Sequence, residues 1–332
     1  MKILRIVITG EEPPFYTISN AFQKKFDVVD TLYWDDFQDI VYLNEVIRAR
    51  VKAHEYDAVF MQVQNPGIIS IITAETMAKH VPVVFNWTGD VRTDLTWYKD
   101  ISPYVVTLFT NVTDVMTIRK FGQRADYLQT GYDHKYYYNE KKSRLNNIAF
   151  CGNYYPEMQF PLTKLRAEMA TLLKTYYPEN FNLYGRKWEK VDLKSEGFAD
   201  NTKEAVLYNA TSLALSISHF NYSRYFSDRL LRELACGCCV LSHRFEDCEL
   251  EFKDGDHIVY WDNSQDLLQK IDYYFKNPDK AREIGNRAAD YVLENYHWEK
   301  VVDKLKILIQ KWRSTYQNKT LYLYTKDINP IL

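Results

Sequence analysis

Short, nearly uninterrupted apolar runs alternate along this chain with longer stretches in which apolar side chains recur every three to four residues. Apolar runs of that length bounded by turn residues fit strands buried on both faces, and the longer periodic stretches fit amphipathic helices. In the first half the strand pattern falls at residues 2–9, 27–34, 57–63, 81–87, 104–110 and, more weakly, 125–129, with helical spacing at 16–25 and 40–55. Strands separated by helices predict a parallel sheet covered on both faces. A polar stretch rich in Lys, Asn and Glu, residues 139–147, then interrupts the pattern and reads as a linker. The pattern restarts with strands at 147–151, 181–184, 212–218, 238–242 and 257–260, and helices within 156–176 and at 227–235. Residues 264–313 are helical, with breaks near Asn277 and Pro278 and near His297.

A chain of 332 residues is too long for one ordinary core and suits two α/β domains. The expected division is residues 1–140, residues 141–300, and a C-terminal helix and tail, 301–332, that packs back on the first domain. Two such units make the cleft between them the expected ligand site, reached by loops beyond the carboxyl ends of the strands. With 46% hydrophobic and 26% charged residues the composition is that of a globular protein, and the net charge of −2 gives no support to non-specific attraction to a phosphate backbone. The 15% aromatic content, mostly tyrosine, reads either as packing or as platforms for sugars and bases. No apolar run reaches the roughly 20 residues that span a bilayer. The first ten residues lack a cleavage site and read as a first core strand rather than a signal peptide. Five cysteines, among them Cys236, Cys238 and Cys239, match no zinc spacing and read as buried thiols of a reducing compartment, so the cytoplasm is the expected location.

The strongest chemical signal is the helix at 227–235 and the turn after it. Ser227 is a good N-cap, Asp228 complements the helix dipole, and Gly237 ends the helix where a positive φ is needed. Arg229 and Glu233, four residues apart, share one face, while Leu230, Leu231 and Leu234 cover the other. Such a pair is either an i,i+4 salt bridge or a grip in which Arg229 neutralises a diphosphate and Glu233 accepts hydrogen bonds from ribose hydroxyls. The acid of a helix-stabilising pair usually precedes the base, and here the order is reversed.

The run from Ser227 to Gly237, its following strand, the later segment 251–260 and the Tyr296, His297, Trp298 element resemble group 1 glycosyltransferases of the GT-B fold, closest to the CgeB-like branch. The resemblance covers residues 140–305 well and the N-terminal half in outline. It implies an α/β fold of GT-B type, two Rossmann-like domains facing a cleft, with a nucleotide-sugar donor held by the second domain and an acceptor facing the first. Many such enzymes carry two glutamates eight positions apart at this helix. Glu233 matches the second, whereas the first falls on Tyr225, and Arg224 and Ser227 are alternatives for its contact. Gly152 and Asn153 after one strand, and Gly185 and Arg186 after the next, fit the family's outline of a phosphate-facing turn and a base-facing strand end.

In the N-terminal half, Asn86, Gly89, Asp90 and Arg92 follow a buried strand, and similar runs occur in the CgeB-like branch. Asp90 is the candidate general base or hydroxyl-orienting carboxylate; alternatively it begins an Asx turn or pairs with Arg92. Asp94 reads as an ordinary helix-start residue. Gly10, Asn86, Arg92 and His134 complete the acceptor or sugar side, and His219 and His243, each after a strand, are further candidates for donor contacts. Gly10 is followed by Glu11, Glu12, Pro13 and Pro14, which excludes a dinucleotide phosphate turn, and no P-loop, nucleophile elbow or paired-cysteine metal site is present. The expected reaction is glycosyl transfer from an NDP-sugar, UDP-sugar favoured, to a hydroxyl, with the group 1 resemblance leaning to retention. No tightly bound cofactor and no metal ligands are expected, because Arg229 and helix dipoles offset the departing diphosphate. The acceptor is a glycan, a protein, a small molecule or a hydroxymethylated DNA base, and a non-catalytic sugar- or nucleotide-binding protein is the remaining alternative. Nothing in the sequence fixes the oligomeric state.

Overall fold

The computed structural model describes residues 1–8, 18–155 and 160–317. In chain order the first elements are β1 (Lys2–Val7), α1 (Ile18–Lys25), β2 (Val28–Tyr33), α2 (Ile40–Ala53), β3 (Ala58–Met61), α3 (Ile71–His80), β4 (Val84–Trp87), α4 (Thr96–Ile101), β5 (Val106–Phe109), α5 (Val112–Arg119) and β6 (Ala125–Tyr127). There follow β7 (Leu145–Cys151), α6 (Thr163–Tyr176), β8 (Phe181–Tyr184), α7 (Asn201–Ala210), β9 (Thr211–Ser216), α8 (Asp228–Ala235), β10 (Cys239–His243), β11 (Val259–Trp261), α9 (Ser264–Lys276), α10 (Pro278–Asn295) and α11 (Trp298–Gln317). Two compact units result. One is Met1–Thr130 with the segment beginning at Trp298, and the other is Gly131–His297.

The first unit is built on a parallel sheet in the order β2-β1-β3-β4-β5-β6. Every residue of β3, β4 and β5 is buried, the polar Asn86 and Thr107 included, as fits short and mostly apolar strands. On one face Ile3, Phe60, Phe85 and Leu108 pack against Phe22 of α1 and Val302, Leu305 and Ile309 of α11. On the other, Leu4, Val59 and Met61 pack against Leu43 and Ile47 of α2 and Ala74 and Met77 of α3.

The second unit is a five-stranded parallel sheet, β11-β10-β9-β7-β8. Its order reverses at the neighbours β7 and β9, from which the chain winds outward in opposite directions. In open α/β sheets such a switch opens a crevice beyond the carboxyl ends of the two strands. The polar stretch read as a linker lies inside this unit and is pinned there. Asn139 donates to Asn286 Oδ1 (2.7 Å), Glu140 N donates to Asn209 Oδ1 (2.9 Å), and Arg144 donates to the carbonyls of Tyr208 and Thr211 (both 2.8 Å) and of Cys236. Its hydrophilic side chains thus satisfy carbonyls at the C-terminal ends of α7 and α8, a use that composition does not reveal. All five cysteines are buried and unbridged.

Candidate functional site

The crevice between β7 and β9 is bordered by Gly152, which follows β7, and by the segment that follows Ser216. Gly152 (φ 154°) and Gly185 (φ 129°), after the neighbouring β8, approach so closely that a Cβ at 185 would collide with the carbonyl oxygen of Gly152. The two loops are laced together. Asn153 Oδ1 accepts from Arg186 N (2.9 Å), Tyr154 N donates to Arg186 O (2.9 Å), and Trp188 Nε1 donates to Gly152 O (2.7 Å).

Over the bare face of Gly152 stand two guanidinium groups. A Cβ at 152 would collide with Nη2 of Arg166 and lie 3.3 Å from Nη1 of Arg229. Arg166, on α6, is 1% exposed; it donates to Ile217 O and, at 3.4 Å, to Asn153 O, and lies 4.9 Å from the Phe150 ring. Neither arginine forms an ion pair among the described residues. Burial, and then the neighbouring Arg229 charge, bring Arg166 down to about 9. Two cations held together without a carboxylate partner form a site for an anion.

Arg229 rides on α8 with Glu233 one turn further on. Ser227 has the extended backbone of an N-cap, φ −87° and ψ 161°, but its side chain makes no capping hydrogen bond. Glu233 is 0% exposed and neither carboxylate oxygen has a hydrogen-bond partner among the described residues. Ser216 is near enough to favour the ionised carboxylate slightly, but no bond of normal geometry closes between them. Burial raises Glu233 to about 8, against the opposing pull of Arg229. No salt bridge joins Arg229 to Glu233, so the simple i,i+4 pair is not formed. The helix is instead held by Arg232, paired with Glu204 and, at 2.9 Å, with Asp228. Tyr208 (3.0 Å) and Tyr137 (3.2 Å) also donate to Glu204.

Arg186 is exposed and lies 4.4 Å from the Phe198 ring. Tyr225 is buried with its ring 6.1 Å from Phe220. Arg224, at φ 59°, is buried and its Nε donates to Glu251, which also accepts from Tyr296 Oη at 2.5 Å. The His134 ring packs tilted against His297, centroids 4.4 Å apart, and His243, lowered by burial, lies 4.9 Å from Trp261. In the first unit Asn86 is fully buried with its amide exchanging hydrogen bonds with the Val63 backbone (3.0 and 2.9 Å), which extends the β3–β4 ladder. Asp90 is 72% exposed and 3.7 Å from Arg92. Asp94 Oδ1 accepts from Thr96 N at 2.9 Å, at the entry to α4. Gly10 lies outside the described residues. Among the described residues no cluster of three metal-ligating side chains occurs, and no helix is long and apolar enough to cross a membrane.

Arg166 is the residue that sequence reasoning missed. It occupies the buried stripe of α6 with Met169, Ala170 and Leu173. An arginine at a core position of an amphipathic helix was the available signal.

Residues 163–306 match the family model described as glycosyl transferase-like. No functionally curated protein matches the chain by sequence. Among solved structures it is similar to Anabaena HepE in complex with UDP and glucose, with a TM-score of 0.64 and 12% identity over 94% of this chain and 100% of that one. It is also similar to a glycosyltransferase from Rickettsia africae (TM-score 0.64, 11% identity, 94% and 98% coverage). A third is an α-glucosyltransferase in complex with UDP-glucose and DNA containing an abasic site (TM-score 0.64, 12% identity, 93% and 99% coverage). At these identities the likeness is one of fold. The chain has the GT-B fold, and Arg166, Arg229 and Glu233 all lie within its glycosyl transferase-like segment.

Proposed function

We propose that this chain is a glycosyltransferase that moves a sugar from a nucleotide-diphosphate sugar, a UDP-sugar by preference, to an acceptor hydroxyl. One observation carries the reading: Arg166 and Arg229 converge without an acidic partner on the bare face of Gly152, one helical turn from the unbonded carboxyl of Glu233. The diphosphate lies against the guanidiniums and the first turn of α8, and Glu233 meets the ribose hydroxyls. The charge that develops on the departing diphosphate is offset by these fixed cations, so transfer needs no metal. The structures of HepE and of the α-glucosyltransferase contain UDP with glucose and UDP-glucose respectively, which supports the choice of base. The Ser227, Asp228, Arg229 opening favours the CgeB-like branch, and the group 1 resemblance favours a retaining outcome, with Asp90 orienting or deprotonating the acceptor hydroxyl.

Calorimetry with UDP, GDP and dTDP on the wild type and Arg229→Ala tests the donor site. A charge-assisted bond to phosphate is worth roughly 1.5–3 kcal/mol, so the variant loses about ten-fold or more in UDP affinity. Unchanged affinities for all three nucleotides sink the assignment. A hydroxymethylated DNA base is the second acceptor reading, favoured by the likeness to a glucosyltransferase bound to DNA. Transfer from radiolabelled UDP-glucose to hydroxymethylated against unmodified duplex DNA decides it. Absence of both donor hydrolysis and transfer across a panel of UDP-sugars makes the protein a binding module.

A further inference from the structure

His219 follows β9 at the same switch point, and its surroundings give it a role of its own. Its carbonyl accepts from Leu162 N (3.1 Å) at the entry to α6. Its ring is packed 4.5 Å from Phe160 and 5.2 Å from Tyr155. Two residues earlier, the carbonyl of Ile217 is held by Arg166. The segment is therefore fixed from both sides, yet Nδ1 of the ring is buried with no hydrogen-bond partner. Buried polar atoms are nearly always satisfied, and one that is not, beside an anion site, calls for a ligand.

The charged groups that act on this imidazole are Arg166 of α6 and Arg229 of α8. Both are cations, and burial adds to their effect, so protonation is driven down to about 2. An imidazole that stays neutral still has one N–H to donate, and an incoming oxyanion selects the tautomer that carries it on Nδ1.

Building on the donor-site reading above, we propose that His219 is a third ligand of the diphosphate, donating a hydrogen bond from the Nδ1–H of an uncharged ring to a phosphate oxygen between Arg166 and Arg229. Being neutral, it adds directionality without a third cation. It does not act as a general acid, because a neutral imidazole keeps its one N–H proton near neutral pH, and the phosphate leaves as the anion that the two arginines hold.

The test compares UDP with uridine, which lacks the phosphates, by calorimetry between pH 5.5 and 8.5. His219→Phe keeps the ring packed against Phe160 and Tyr155 but has no donor. His219→Asn places an amide nitrogen where Nδ1 stood. The expected result is a loss of about ten-fold or more in UDP affinity for the Phe variant, unchanged uridine affinity, and recovery of most of the loss in the Asn variant. The loss is the same across the pH range. Full UDP affinity in His219→Phe, an equal loss for uridine and UDP, or a deficit that appears only below pH 7 overturns the inference while leaving the donor site standing. A wild type that binds no UDP removes the donor-site reading and this inference with it.

Discussion

Replacing Glu233 with glutamine separates what this carboxyl does for stability from what it does for a ligand. In the folded protein its pKa stands at about 8, against 4.5 for an unburied glutamate. The unfolded chain therefore releases this proton at a lower pH than the folded one. Stability from this group is fully present below pH 4.5, falls as pH rises from there to 8, and levels off above it. At ~1.4 kcal/mol per unit, the window corresponds to about 5 kcal/mol at most. Glutamine has no proton to lose, so the two proteins differ by no more than about 1 kcal/mol at pH 5. Above pH 8 Glu233→Gln is the more stable by several kcal/mol, a melting difference on the order of 10 °C. Chemical and thermal denaturation followed by circular dichroism from pH 5 to 9 measures this directly. The difference between the two proteins cancels the titration of every other group. UDP affinity moves the opposite way at high pH, because an amide offers ribose hydroxyls one acceptor oxygen in place of two. Parallel stability curves, or a variant that is less stable at pH 9, refute the picture of a carboxyl buried without partners for a ligand.

Gly185→Ala places a Cβ against the Gly152 carbonyl at φ 129° and costs about 3–5 kcal/mol, read as a drop in melting temperature and soluble yield. Arg224→Met leaves Glu251 buried without its guanidinium and costs about 3–5 kcal/mol; adding Glu251→Gln recovers part of it, since the buried negative charge causes most of the loss. Asp90→Asn abolishes transfer while UDP affinity stays at the wild-type value by calorimetry, the exposed carboxylate lying 3.7 Å from Arg92 and outside the donor-binding unit; full transfer by this variant removes Asp90 from the mechanism.

The parallel strands were legible because β3 is apolar throughout and β4, β5 and β10 are short and mostly apolar, a pattern that fits burial on both faces. Helix α8 was legible from its leucines and from the Arg229 and Glu233 spacing. What failed to show were relations between distant residues. Arg224 looks like a donor ligand until Glu251, 27 positions on, engages it. Arg166 stands at a core position of α6, but nothing local tells that Ile217, 51 positions away, accepts its hydrogen bond. The stretch 139–147 has a linker's composition, and only the carbonyls it meets make it a strap. Asn86 follows the same rule: its amide reads as a polar group free for an acceptor until Val63 takes both ends of it.

The five buried thiols have a use beyond packing. Cys151, Cys236, Cys238, Cys239 and Cys248 all belong to the unit Gly131–His297, and the other unit has none. A thiol reagent added to the native protein can react only when that unit opens, so the labelling rate is a clock for its opening alone. Run with and without UDP, the same clock reports how far occupancy of the switch-point crevice tightens the sheet around it, with no probe introduced and no second unit contributing to the signal.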